Sequence, residues 1–188
     1  MKKGFTPTPK NFGVTLRSKG GFTIIELLVS LGIFIIVTTM VVTNFRGGSR
    51  SDELKIAAET VASNLRRAQN MALAGEQFEG ITPAGGYGIY FNLGNPDKYI
   101  IFADKNGNLA YDAGEVLPDG LITLPPNMVI VGVLPAASSA VVFKPPKPTV
   151  YINGGTVNDI SAVTVKHNLS GKSKKIVLNR ISGRIDVE

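Results

Sequence analysis

Apolar residues along this chain follow three successive periodicities. From Phe22 to Thr43 they are nearly continuous, 22 residues with Glu26 as the single charge and no proline. At about 1.5 Å of rise per residue, about 20 such residues cross a hydrocarbon core of about 30 Å, so the run predicts a transmembrane helix. From Ser51 the apolar positions thin to a heptad: Leu54, Val61 and Ala68 recur every seven residues, as do Ala58, Leu65 and Ala72. Ser51-Asp52-Glu53 offers a cap and early acids, and Ala74-Gly75 a stop. The spacing predicts an amphipathic helix that covers some other surface, with Arg66 and Arg67 on its solvated side. Between the two helical patterns lies Arg46-Gly47-Gly48-Ser49-Arg50, whose glycines each cost a helix about 1 kcal/mol relative to alanine, so a flexible stretch is expected there.

Past Gly86 the period falls to two. Tyr87, Ile89 and Phe91 alternate with Gly88, Tyr90 and Asn92, and Tyr99, Ile101 and Ala103 follow after Asn95-Pro96-Asp97, which reads as a β-hairpin. Further strands are expected at 121–124, 128–134, 140–144, 149–152, 160–167, 175–180 and 184–187, punctuated by prolines. Helix first and strands afterwards predicts an α+β fold, a long N-terminal helix, transmembrane and then amphipathic, packed on an antiparallel sheet. The expected divisions are a leader over 1–21, a transmembrane helix over 22–45, a linker and amphipathic helix over 46–75, and a β-rich extracytoplasmic domain over 76–188.

Charge changes this picture at the N-terminus. The formal charge is +6, but residues 1–21 hold five bases and no acid, so most of the excess belongs to the leader. With no further lysine or arginine before Arg46, the positive-inside rule places the N-terminus in the cytoplasm and the rest outside, a single pass through the cytoplasmic membrane. A secretory signal puts its cleavage site after the apolar run. Here the order is reversed: the basic leader ends in Gly20-Gly21 directly before the run, so a cut there leaves the helix on the product. Glu26 costs a few kcal/mol within an apolar span unless it is paired or near the interface. One account is a carboxylate tolerated at the membrane edge. The other is that cutting after Gly21 frees an ammonium on Phe22, which Glu26 of a neighbouring subunit neutralises, the pair setting register between stacked helices.

Composition excludes several chemistries. Without cysteine there is no disulfide, thiolate nucleophile or cysteine-ligated metal, and His167 is the single histidine, read here as a surface strand position. No nucleophile and base set, phosphate loop or carboxylate pair stands out, and the chain is expected not to be an enzyme.

The string Lys19-Gly20-Gly21-Phe22-Thr23-Ile24-Ile25-Glu26-Leu27-Leu28 resembles the class III signal of type IV pilins and pseudopilins. That resemblance implies a prepilin peptidase that cuts after Gly21, methylation of Phe22, and Glu26 at the fifth mature position. The remainder resembles the GspH/FimT group of minor pilins and pseudopilins, on Tyr87-Gly88-Ile89, the loop from Asp104 to Glu115, Val142-Phe143 and Ile181-Ser182-Gly183-Arg184-Ile185. It implies a minor subunit of a type IV pilus or type II secretion filament, partnered by other pilins, at the cell surface or in the periplasm. For such a subunit the glycines at 47 and 48 serve either a melt on assembly or a plain linker.

Two candidate sites remain. Asp104, Asn106, Asn108, Asp112 and Glu115 stand at positions 1, 3, 5, 9 and 12 of an EF-hand-like loop, an oxygen set that suits calcium, although Leu109 occupies the place of the turn glycine. An acidic hairpin loop built on Asx-turns fits the same residues. Residues 144–188 carry eight bases against three acids. If Lys172, Lys174, Lys175, Arg180 and Arg184, with Lys166, meet on one face, they suit double-stranded DNA phosphates, as in FimT-group members of DNA-uptake pili. The alternative is a solvated basic face that balances an acidic neighbour.

Overall fold

The fold is taken from a computed structural model that describes residues 21–146 and 149–188, without the side chains of 43–47. One helix, α1, runs from Ile24 to Ala74. Residues 1–43 and 44–188 form two separate compact units.

In the first unit, Thr23 caps the helix: its Oγ1 accepts the Glu26 amide at 3.2 Å. The apolar side chains from Ile24 to Val42 are all exposed, and this segment is long and apolar enough to cross a membrane. Its hydroxyls turn inward on the helix, Ser30 donating to the Glu26 carbonyl at 2.7 Å and Thr38 to that of Phe34 at 2.7 Å. Such back-bonding satisfies polar groups that hydrocarbon cannot.

The interruption expected at 46–50 is absent: the backbone stays helical through Gly47 and Gly48. Helix propagation is cooperative, and two strong segments flank the glycines, so a cost of about 1 kcal/mol each does not break it.

In the second unit the heptad positions are buried as expected, Leu54, Ala58, Val61, Leu65, Ala68 and Ala72 all at 3% exposure or less, and Ala57 and Ala62 widen the stripe. Small residues there let the helix lie close on what it covers. The helix ends in a Schellman motif: Gly75 has φ +60°, its amide reaches Ala72, and the Glu76 amide reaches Met71 at 3.1 Å.

Among the described residues nine strands follow: β1 Gly86–Asn92, β2 Lys98–Asp104, β3 Val116–Thr123, β4 Met128–Leu134, β5 Ser138–Lys144, β6 Thr149–Ile152, β7 Ile160–His167, β8 Ser173–Asn179 and β9 Ile185–Val187. They form two antiparallel sheets, ordered β3-β2-β1-β5-β6 and β4-β7-β8-β9. The expected hairpin is β1 and β2, with Ile89 opposite Ile101. β3 begins earlier than expected and runs through Pro118, which an edge strand tolerates.

The inner faces, Tyr87, Ile89 and Phe91 in the first sheet and Val163, Val165, Ile176 and Leu178 in the second, join the helix stripe in one core. At its rims, Arg66 donates to the Ile185 carbonyl at 3.0 Å and Arg67 pairs with Asp119 at 3.1 Å, which lowers the Asp119 pKa. Inside, the Asn64 amide donates to the Tyr99 hydroxyl at 2.7 Å.

His167 is a correction. It is buried at 1% exposure, because the odd positions of β7 face the core. Its Nδ1 accepts the Ser170 amide at 3.1 Å, and Nε2 lies 3.6 Å from Glu53 on the helix.

Candidate functional site

Gly21 and Phe22 precede the first turn of α1, and Phe22 is 81% exposed. A Cβ built on Gly21 meets nothing within 4 Å among the described residues. Glu26 occupies the third helical position of a Thr23-x-x-Glu26 capping sequence and is exposed among apolar neighbours. Among the described residues no ion pair includes it, and the next charge along the helix sequence is Arg46.

The loop 104–115 brings Asp104, Asn106, Asn108, Asp112 and Glu115 together, and their oxygens satisfy the loop itself. Asp104 is fully buried; Oδ1 accepts the Gly107 amide at 2.7 Å and Oδ2 that of Leu109 at 2.8 Å. Glu115, 4% exposed, accepts the Lys105 and Asp112 amides at 3.0 Å each. Asp112 accepts from the side-chain amides of Asn106 and Asn108, and the two asparagines form Asx-turns onto Asn108 and Ala110. Among the described residues no group of three or more histidine, aspartate or glutamate side chains is placed to hold a metal ion. The effect of this wiring is packing. It lays Leu109 and Tyr111 over the outer face of the first sheet, where Tyr111 stacks on Tyr90 at 5.0 Å and meets Phe102 edge-on at 5.5 Å. Gly88 leaves room for the Phe102 ring, whose Cζ lies 2.7 Å from where a Cβ would stand.

The basic residues of the last strands do not share one face. Lys174 pairs with Val165 and lies on the core-facing side at the end of β8, whereas Lys175 pairs with Thr164 on the outer side. Arg180 binds Asp159 at 2.7 Å and Arg184 binds Asp186 at 2.8 Å, so two of the segment's three acids already neutralise them. Lys175 exchanges backbone hydrogen bonds with Glu188, the third. Lys172 donates to Ser51 on the helix at 2.8 Å. Sequence reading missed this contact and the neighbouring one between His167 and Glu53, since nothing local marks a partner more than a hundred residues away.

A family model described as the prokaryotic N-terminal methylation motif matches residues 16–42, the stretch that holds Gly21, Phe22 and Glu26. A second, described as type II transport protein GspH, matches residues 57–183, more than half of the chain. The chain belongs to the GspH family. It is a pilin or pseudopilin subunit of the GspH/FimT kind, with an N-terminal apolar helix and an α+β outer domain. The GspH match begins at the buried helix stripe and ends at the turn before β9, and so spans the unit whose core was described above. No curated protein and no solved structure matches the chain. Subunits with this motif are processed by prepilin peptidase and assemble with other pilins or pseudopilins.

Proposed function

We propose that this chain is a minor structural subunit of a type IV pilus-like or type II secretion filament, held before assembly by a single membrane span with its N-terminus in the cytoplasm. Prepilin peptidase cuts after Gly21, and the new amine of Phe22 is methylated. Glu26 then pairs with that ammonium on a neighbouring subunit, so two charges in an apolar layer become one satisfied pair that fixes register. One observation carries this reading: Glu26 has no ionic partner among the described residues and stands in the first turn of an apolar helix just after the glycine pair.

The wiring of the outer domain supports a scaffold over a DNA-uptake receptor. A phosphate-tracking face needs free bases aligned along one surface. Arg180 and Arg184 are engaged by acids, and Lys174 and Lys175 sit on opposite sides of their sheet. An enzymatic role finds no support in the loop 104–115, whose carboxylates are occupied by backbone amides at Asp104 and Glu115 and by asparagine side-chain amides at Asp112.

The test is incorporation of Glu26→Gln, isosteric but uncharged, into filaments sheared from cells that lack the native copy. Cleavage and membrane insertion should proceed while incorporation drops severalfold. Undiminished incorporation would remove the register argument.

A further inference from the structure

Two asparagines of this chain precede a glycine, Asn106 and Asn153, both exposed, and the fold treats them differently. An asparagine so placed can lose its side-chain amide to attack by the next backbone nitrogen, which glycine leaves unshielded because it has no Cβ. The reaction needs a polarised side-chain carbonyl, a free backbone nitrogen and a free leaving amide. Both carbonyls are polarised: Asn106 Oδ1 accepts the Asn108 amide at 2.9 Å, and Asn153 Oδ1 accepts the Ala140 amide at 2.9 Å. A donor at that oxygen stabilises the negative charge that develops on it during attack.

The other two requirements separate the sites. At Asn106 the Gly107 amide is tied to the buried Asp104 carboxylate at 2.7 Å, and Nδ2 donates to Asp112 at 2.8 Å. At Asn153, among the described residues, neither the Gly154 amide nor Nδ2 has a hydrogen-bond partner. Asn153 and Gly154 form a two-residue turn after β6, with φ +52° and +73°, closed by Ile152 and Gly155 exchanging backbone bonds at 3.0 and 3.1 Å. Turns with two positive φ values favour Asn-Gly. A Cβ on Gly154 would find nothing nearer than 3.8 Å, so this peptide has room to swing toward the carboxamide. The products differ as well. A carboxylate at position 153 still accepts the Ala140 amide and sacrifices no donated bond, whereas one at position 106 would stand against Asp112 in place of the amide that Asp112 now accepts.

We propose that Asn153 is a self-modification site, converted by deamidation in the folded subunit, while the Asp104 and Asp112 contacts protect Asn106. The Gly154 nitrogen gives its proton to solvent base and bonds to Asn153 Cγ. The Cγ–Nδ2 bond breaks, and Nδ2 takes a proton from water and leaves as ammonia. A water molecule then opens the cyclic imide at either carbonyl, giving aspartate or isoaspartate, with nothing oxidised or reduced. The outcome is a new negative charge on the β6–β7 connection, beside the backbone carbonyls of Asn108 and Leu109.

The test follows both sites over time in the detergent-solubilised full-length chain at mildly alkaline pH, folded and in urea. Cleavage after glutamate puts Asn106 in the fragment 80–115 and Asn153 in 116–188, and tandem mass spectrometry assigns each conversion. In the folded chain Asn153 should convert severalfold faster than Asn106. The two rates should converge in urea, where only the shared Asn-Gly sequence remains. Asp104→Ala, which frees the Gly107 amide, should speed conversion at Asn106. Asn153→Asp should leave the urea midpoint in place, and Asn106→Asp should lower it. Equal rates in the folded chain, or faster conversion at Asn106, overturn the proposal. So does an Asn153 that stays intact when folded yet converts in urea. A preference for Asn153 that persists unchanged in urea overturns it too, by tracing the difference to flanking sequence instead of the fold.

Discussion

Replacing Asp104 with alanine removes the group that closes the loop 104–115. Its two carboxylate oxygens accept the Gly107 and Leu109 amides at 2.7 and 2.8 Å, and the side chain is fully buried. Hydrogen bonds to a charged group contribute about 1.5–3 kcal/mol each, which sets an upper figure of about 3–6 kcal/mol for the pair. The released amides regain water as the loop opens, so the expected loss is about 2–4 kcal/mol. Leu109 offsets part of it: with φ +62° it holds a backbone conformation that costs about 1–2 kcal/mol while Asp104 grips its amide, and the loop relaxes that strain once the grip is lost. Urea denaturation of the detergent-solubilised full chain measures the loss, and near-ultraviolet dichroism should fall together with it, since Tyr111 leaves its stack on Tyr90. A loss under about 0.5 kcal/mol, typical of an uninvolved surface position, would refute the claim that this loop is held by its own amides. A wild-type midpoint that moves on adding calcium or a chelator would transfer its organisation to a cation.

Leu65→Ala deletes a side chain 2% exposed in the helix stripe and should cost about 2–5 kcal/mol by the same assay. Gly88→Ala should lower the thermal midpoint more than an alanine change at an exposed strand position, because its Cβ would stand 2.7 Å from the Val141 carbonyl oxygen and from the Phe102 ring. Burial raises the Tyr99 pKa above 10.0, with the Asn64 hydrogen bond pulling partly back. The neutral phenol is therefore favoured by folding. Its contribution is complete below pH 10 and should be lost as pH rises through the folded value, which absorbance titration against urea midpoints will show.

Most strands were legible because alternation survives where one face is buried and the other is less so, as in Val163-Thr164-Val165 and Ile176-Val177-Leu178. The division into two sheets was not. β5 pairs with β1 across more than forty residues and β4 joins β7 instead of its chain neighbour β5, contacts that no local period encodes. His167 was misplaced for the same reason: alternation gives two faces, and only packing against Glu53 and the helix tells which is inside. The capping sequence Thr23-x-x-Glu26 was visible in the letters, yet the carboxylate there drew attention to its charge before its position in the first turn. The basic run at the C-terminus misled in the other direction, since residue counts cannot show that Asp159 and Asp186 reach Arg180 and Arg184. Glu26, by contrast, was legible because its environment is written in the sequence on both sides of it.

The central claim is that a cut after Gly21 yields a helix beginning at a methylated Phe22. Mass spectrometry of the N-terminal peptide, from chain extracted from membranes of cells with an active prepilin peptidase, tests it most directly. The account predicts a peptide that begins at Phe22 and carries one methyl group on its nitrogen, with uncut chain accumulating when Gly21 is changed to leucine. A peptide that begins anywhere else, or an intact leader in the wild-type chain, would contradict it.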